Sequence, residues 1–279
     1  LDYNSADVWA NQNYFKLNEE KKPKVVSGVP PDAFSDTGQL WGHPIYNWNE
    51  LKKHDYKWWI NRIDHCLNLY DFLRIDHFRG LVAYWEVPAG EDTAINGRWV
   101  EGPAEDLFPL LADKFEDFPF IAEDLGEITE NVIEMRDRFG FPGMQVLIFG
   151  FGDDFPNNPH LPHNFSENNL ACTGTHDTNT IRGWFENEAS LEEKDRLRRY
   201  LGKEVSSDEV SRDFMRLAMM SVSKLVSTPM QDVLCLGEKA RMNRPAEKEG
   251  NWKWRLNPEQ ISPELENKIR KMTHTYGRA

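Results

Sequence analysis

Three short apolar runs of this 279-residue chain each end on a carboxylate. They are Asp76 in Phe72-Leu-Arg-Ile-Asp-His77, Glu123 in Phe118-Pro-Phe-Ile-Ala-Glu-Asp124 and Asp177 in Leu170-Ala-Cys-Thr-Gly-Thr-His-Asp177. Where strands alternate with helices, acids that close such runs sit at the carboxyl ends of strands, and barrel enzymes gather their reacting groups there. Carboxylates alone can exchange an acetal: one attacks the anomeric carbon while a second, about 5 Å away, protonates the leaving oxygen and later deprotonates the acceptor. Glycosidic-bond chemistry is the expected class.

The neighbours of the acids fit that chemistry. Arg74 lies two residues before Asp76, on the same side of a strand, and supplies the cation that an ionised nucleophile needs beside it. Glu123 has to be protonated in the first half-reaction, and like charge from Asp76 and Asp177 is expected to raise its pKa. His77 and His176, uncharged or partly charged near neutrality, suit hydrogen bonds to sugar hydroxyls. Taken singly, each acid could equally be a surface carboxylate or a helix cap, and Asp177 stands just ahead of a helical stretch that wants one. Taken together, with Arg74 and His176 attached, the chemical reading outweighs the bland one.

The elements that must position these groups can be read from periodicity. Strands are expected at 72–76, 119–123, 144–149, 170–175 and 224–228. A long amphipathic helix is expected over 48–69, with Leu51, Trp58, Trp59, Ile63, Cys66 and Leu69 on one face. Further helices are expected at 103–115, where Pro109 argues against continuity, between Thr129 as N-cap and Gly140, and at 178–188, 191–201, 208–220 and 262–276. The order implies parallel βαβ units, with five strands rather than the eight of a closed barrel. Residues 1–46 hold a short amphipathic stretch at 7–17 and a Pro/Gly-rich loop, and read as a lid or insertion. Residues 47–279 read as the barrel portion.

Composition narrows the partners. A net charge of −13 argues against nucleic acid or an anionic membrane surface, both of which require basic patches, and favours a neutral substrate. Cys66, Cys172 and Cys235 are odd in number and widely spaced, indicating neither a disulfide framework nor a metal site, so a reducing cytoplasm is the default. No run approaches the ~18 apolar residues of a membrane helix. The chain has no initiator Met and opens in a polar loop, so a preceding N-terminal part is expected.

The chain resembles the C-terminal part of a 4-α-glucanotransferase of the amylomaltase or disproportionating-enzyme family, a branch of the α-amylase clan with a TIM (β/α)8 barrel. The matching stretches are Ser5-Ala-Asp-Val-Trp9, Gly28-Val-Pro-Pro31, Thr37-Gly-Gln-Leu-Trp-Gly42, Leu73-Arg-Ile-Asp-His-Phe-Arg-Gly80, Ile121-Ala-Glu-Asp-Leu-Gly126, Thr173-Gly-Thr-His-Asp-Thr-Asn179 and Pro229-Met-Gln-Asp232. The resemblance implies Asp76 as nucleophile, Glu123 as general acid/base and Asp177 as the acid that stabilises the transition state by binding the 2- and 3-hydroxyls of the donor sugar. It implies a lid loop holding Phe34 and Trp41 over the acceptor side, where an apolar cover would hold water away from the glycosyl-enzyme. Most other tryptophans read as structural, including Trp252 and Trp254.

Two departures from the family pattern stand out. Ala33 replaces a tyrosine of some members, and the run 241–252 lacks a Pro-Gly-Thr ahead of Gly-Asn-Trp252. The first barrel strands and their donor-subsite groups are absent, Asp7 being the one candidate from that edge. The implied activity is retaining transfer of maltooligosaccharyl units between α-1,4-glucans, to the 4-hydroxyl of another glucan or glucose. No cofactor is implied, and no ligand motif for a structural calcium is present. The location implied is cytoplasmic, or plastidial in a plant or alga. Two alternatives stay open: a retaining α-glucan hydrolase of the same clan, and a catalytically incomplete fragment needing its N-terminal barrel strands.

Overall fold

All five expected strands form, joined by four that the sequence did not announce. The computed structural model describes residues 2–31, 35–115, 119–245, 247 and 249–278. Among these residues the strands are β1 (Val25–Val29), β2 (Gln39–Pro44), β3 (Leu73–Ile75), β4 (Ala83–Pro88), β5 (Arg98–Glu101), β6 (Phe120–Ala122), β7 (Gly143–Val146), β8 (Asn169–Cys172) and β9 (Leu225–Ser227). The chain divides into two compact units, Leu1–Pro142 and Gly143–Ala279.

In the first unit β3 and β6 pair in parallel, Leu73 opposite Phe120 and Ile75 opposite Ala122. Beneath them lies an aromatic core: Phe78 stacks on Phe108 at 5.6 Å and meets Phe141 edge-on at 5.8 Å. Phe78 is wholly buried and follows the Asp76-His77 pair directly, so core packing pins the chain just past the end of β3.

The helix expected over 48–69 is in fact two, Trp48–Lys52 and Lys57–Leu67. Asp55 and Tyr56 between them take positive φ values of 49° and 52°. Tyr56 is 2% exposed, and the turn carries its ring into the core. Burial of a large ring outweighs continuation of the helical period there. Conversely, the helix Ala104–Lys114 runs unbroken through Pro109. Leu107, Phe108 and Leu111 are buried along it, which offsets the one backbone bond that proline forfeits.

The unexpected element is an antiparallel sheet in the order β2-β1-β4-β5. Glycine and proline in β1 and β2 disguise them as loop. Yet Gly28 is there because a Cβ would lie 2.5 Å from the Gln39 carbonyl oxygen of the partner strand. Glu86 on β4, 2% exposed, is held by Lys16 at 2.6 Å and Arg98 at 2.7 Å.

In the second unit β7, β8 and β9 are parallel neighbours in that order. The helices Ile181–Asn187, Leu191–Leu201, Val210–Met220 and Pro263–Thr275 belong to this unit. No helix among the described residues is long and apolar enough to cross a membrane.

Candidate active site

The parallel register of β3 and β6 sets the level at which two of the acids leave the sheet. Asp76 is the residue after Ile75 and Glu123 the residue after Ala122, and those two are partners. The backbone continues the link: Glu123 N–H donates to Ile75 O at 3.0 Å, and Phe78 N–H donates to Glu123 O at 3.1 Å. The carboxylate itself accepts the N–H of His77 on Oε2 at 2.6 Å and that of Leu125 on Oε1 at 3.3 Å.

Burial pushes the Glu123 pKa up, against Arg74 and the His77 N–H, and Asp76 adds a smaller upward push. The direction is the expected one, but its main cause is desolvation rather than like charge. Asp76 itself is open, its side chain 76% exposed. Arg74 Nη1 donates to Asp76 Oδ1 at 2.5 Å, as the strand spacing required.

His77 takes a positive φ of 48°, a conformation uncommon outside glycine. Its ring lies against Gly80, where a Cβ would approach Cδ2 to 2.8 Å. Burial and the Arg79 cation push its pKa down to about 4, with Asp76 opposing, so the ring is neutral near neutrality. Trp41, within β2, meets that ring edge-on at 4.8 Å and 88°. A lid residue of the sequence reading thus packs on the residue beside Asp76. Phe34 and Ala33 lie outside the described residues. Asp7 sits in the first turn of the helix Ala6–Ala10 and faces Arg62 at 3.6 Å. Among the described residues, no hydrogen bond or ion pair joins Asp7 to Asp76 or Glu123.

The third acid is built by the second unit, on the turn between β8 and the helix Ile181–Asn187. Thr180 caps that helix, its Oγ1 accepting the Gly183 N–H at 3.0 Å, so Asp177 is not the cap. Instead Asn243 Nδ2 donates to Asp177 Oδ1 at 2.6 Å and Arg241 Nη2 to its carbonyl at 2.9 Å. His176 Nε2 is 3.2 Å from Asp177 Oδ2, and the His176 carbonyl accepts the Asn243 N–H at 3.0 Å.

Both ends of this turn are tied to one buried carboxylate. Asp232, 1% exposed, accepts Thr173 Oγ1–H on Oδ2 at 2.7 Å and Ile181 N–H on Oδ1 at 2.8 Å. Burial pushes its pKa up to about 6, against those two hydrogen bonds.

Arg241, Asn243 and Asp232 escaped the sequence reading as site residues. The first two sit in the very run, 241–252, whose departure from pattern was visible, and Asp232 closed a recognised motif. Trp252 was read as structural. It lies 5.4 Å from the His176 ring at a 36° tilt and is 53% exposed. Among the described residues, no group of three or more His, Cys, Asp or Glu could hold a metal ion.

Comparison with known proteins places the chain in a family. The sequence profile of 4-alpha-glucanotransferases matches residues 1–261. A 4-alpha-glucanotransferase of Aquifex aeolicus is 50% identical over 276 residues, 99% of this chain and 56% of that protein. The chloroplastic/amyloplastic 4-alpha-glucanotransferase of Solanum tuberosum is 47% identical over 281 residues, 100% of this chain and 48% of that protein. Among solved structures, an amylomaltase from Streptococcus agalactiae in complex with acarbose superposes with a TM-score of 0.94 at 40% identity. That match covers 100% of this chain and 56% of the other. The chain spans about half the length of the relatives it matches. From the Asp76–Glu123 strand ends and the supported Asp177 turn to a match over residues 1–261, the findings agree, and the chain belongs to the 4-alpha-glucanotransferase family.

Proposed function

We propose that this chain carries the reacting carboxylates of a retaining α-1,4-glucan transferase. Asp76 attacks the anomeric carbon of the donor, and Glu123 protonates the leaving oxygen. The leaving glucan departs and the 4-hydroxyl of a second glucan or glucose enters. Glu123 then takes its proton as the glycosyl–Asp76 ester breaks, restoring the original anomeric configuration. Asp177 is assigned the sugar hydroxyls beside the reacting carbon, with His176, His77 and Trp252 lining the sugar path.

The observation that carries this reading is the pairing of two strand ends that release Asp76 and Glu123 at one level, with Glu123 hydrogen-bonded to the residue after Asp76. The division of labour follows from environment. Asp76 is exposed and paired with Arg74, which suits an ionised nucleophile. Glu123 is partly buried and its pKa raised, which suits a proton donor.

For the whole protein the proposed fold is a (β/α)8 barrel to which β3, β6, β7, β8 and β9 contribute, with residues 1–46 as a lid segment and 47–279 as barrel. Its further strands, the donor-subsite groups they bring and a role for Asp7 there belong to the same proposal. So do the α-1,4-glucan partners and a reducing compartment.

Incubation with maltotriose tests the activity. Glucose plus maltotetraose and longer chains are expected; glucose and maltose alone would replace transfer with hydrolysis. A 5-fluoroglucosyl fluoride trap tests the nucleophile, and the label is expected on the peptide containing Asp76. A label on any other carboxylate overturns the assignment.

A further inference from the structure

The second unit contains a cleft of about 500 Å³ between the helices Val210–Met220 and Pro263–Thr275. Its size falls within the ~300–1,000 Å³ of small-molecule sites. One wall is apolar, with Met215, Leu265 and Met272 among its residues. The same cleft is lined by four cations, Arg212 and Arg216 from one helix and Lys268 and Lys271 from the other.

Their convergence on one cleft sets these cations apart. The chain has a net charge of −13, so carboxylate partners are abundant. Yet none of the four side chains makes a close ion pair or hydrogen bond with another described residue, and only Lys268 acts on a carboxylate, that of Glu264, at longer range. Asp208, also in the lining, is taken by Arg182 at 2.9 Å, and Asp232 by Thr173 and the Ile181 N–H. Arg212 and Arg216 are one turn apart on the same helix face, as are Lys268 and Lys271, a like-charge spacing that helices disfavour. Concave, partly apolar walls concentrate the resulting positive field. The C-terminal segment is fixed here, because Arg278 donates to the carbonyls of Met219, Ser221 and Ser223 at 2.9, 2.7 and 2.6 Å.

We propose that this cleft binds an organic phosphate. The two arginines and two lysines would neutralise the phosphoryl group, and the apolar wall with Thr275 and Tyr276 would receive its sugar or nucleoside body. The four cations, Thr275 and Tyr276 take no part in the glucan chemistry above, and the site stands whether or not that reading does; Asp232, which also lines the cleft, is held by the Asp177 turn.

Calorimetric titration of the intact protein with ATP and with glucose 1-phosphate tests it, with adenosine, glucose and inorganic phosphate as controls. At least one of the two organic phosphates is expected to bind with a Kd below about 1 mM. Binding should weaken at least ~10-fold in the double variant R212Q/K268Q, and also as salt is raised. Which of the two binds identifies the body, and either outcome supports the site. The variant R216Q/K271Q repeats the test from the other pair of cations. No saturable binding up to about 10 mM of either probe overturns the proposal. So does affinity unchanged in both variants, or inorganic phosphate binding as well as the organic esters do.

Discussion

Glu123 Oε2 accepts the backbone N–H of His77 at 2.6 Å, so the proposed acid is fastened to the residue that follows the proposed nucleophile. The carboxylates of Asp76 and Glu123, far apart in sequence, are thereby held by main-chain geometry rather than by flexible side chains alone. A fixed separation is what a two-carboxylate displacement needs, because misplacement by an ångström costs rate steeply.

Glu123→Gln should remove proton transfer while leaving that anchor, since the amide oxygen still accepts the His77 N–H. We expect kcat to fall by roughly 10²- to 10⁴-fold with little change in melting temperature. Glu123 must be protonated to act as the acid, and burial raises its pKa. The basic limb of kcat/KM should therefore lie above an ordinary glutamic acid, with activity lost as pH rises through that raised value. A profile with no basic limb from a carboxyl group would contradict this.

Trp41→Ala removes the ring that meets His77 at 4.8 Å. If that ring helps keep water from the glycosyl-enzyme, hydrolysis of maltotriose should rise several-fold relative to transfer. Chromatography of the products gives the ratio, and an unchanged ratio would leave Trp41 no part in excluding water.

Asn243→Ala deletes the 2.6 Å hydrogen bond to Asp177 Oδ1 and leaves the backbone bond to His176 intact. The loss of a charge-assisted bond corresponds to about 1.5–3 kcal/mol, or roughly a 10- to 100-fold fall in kcat/KM. The melting temperature should move little. A stability loss without a kinetic one would mean that Asn243 serves the fold alone.

Asp232→Asn tests the carboxylate that ties both ends of the Asp177 turn. The Asp232 pKa is raised from 3.8 to about 6, so the stability linked to it is fully present below about pH 4 and is lost as pH rises through about 6. That change is on the order of 3 kcal/mol. Urea unfolding between about pH 4 and pH 7 should show this slope in the native protein and its absence in the variant. Equal slopes would place the titration elsewhere.

The expected elements held where the signal was local and failed where packing decided. The helix Leu191–Leu201 matches its expected bounds because its ends are written in the sequence: the Ser190–Glu193 capping box and Gly202 at φ 66°. The break at Asp55 and Tyr56 was not legible, because it exists to seat one ring in a core assembled from distant segments. Nor was the β2-β1-β4-β5 sheet, in which glycine and proline disguise β1 and β2 as loop and pairing joins segments distant in sequence.

The sequence by itself supplied the candidates: three carboxylates that follow strands, the cation two residues before one of them, and the family to which their surroundings belong. Only the tertiary structure decided their environments. It put Arg241, Asn243 and Asp232 around the Asp177 turn, made desolvation the main cause of the raised Glu123 pKa, and set Trp252 against His176. The physical reason is range. Residue type and strand periodicity act over a few neighbours, whereas burial and hydrogen-bond partners are fixed by segments that meet only when the chain has folded.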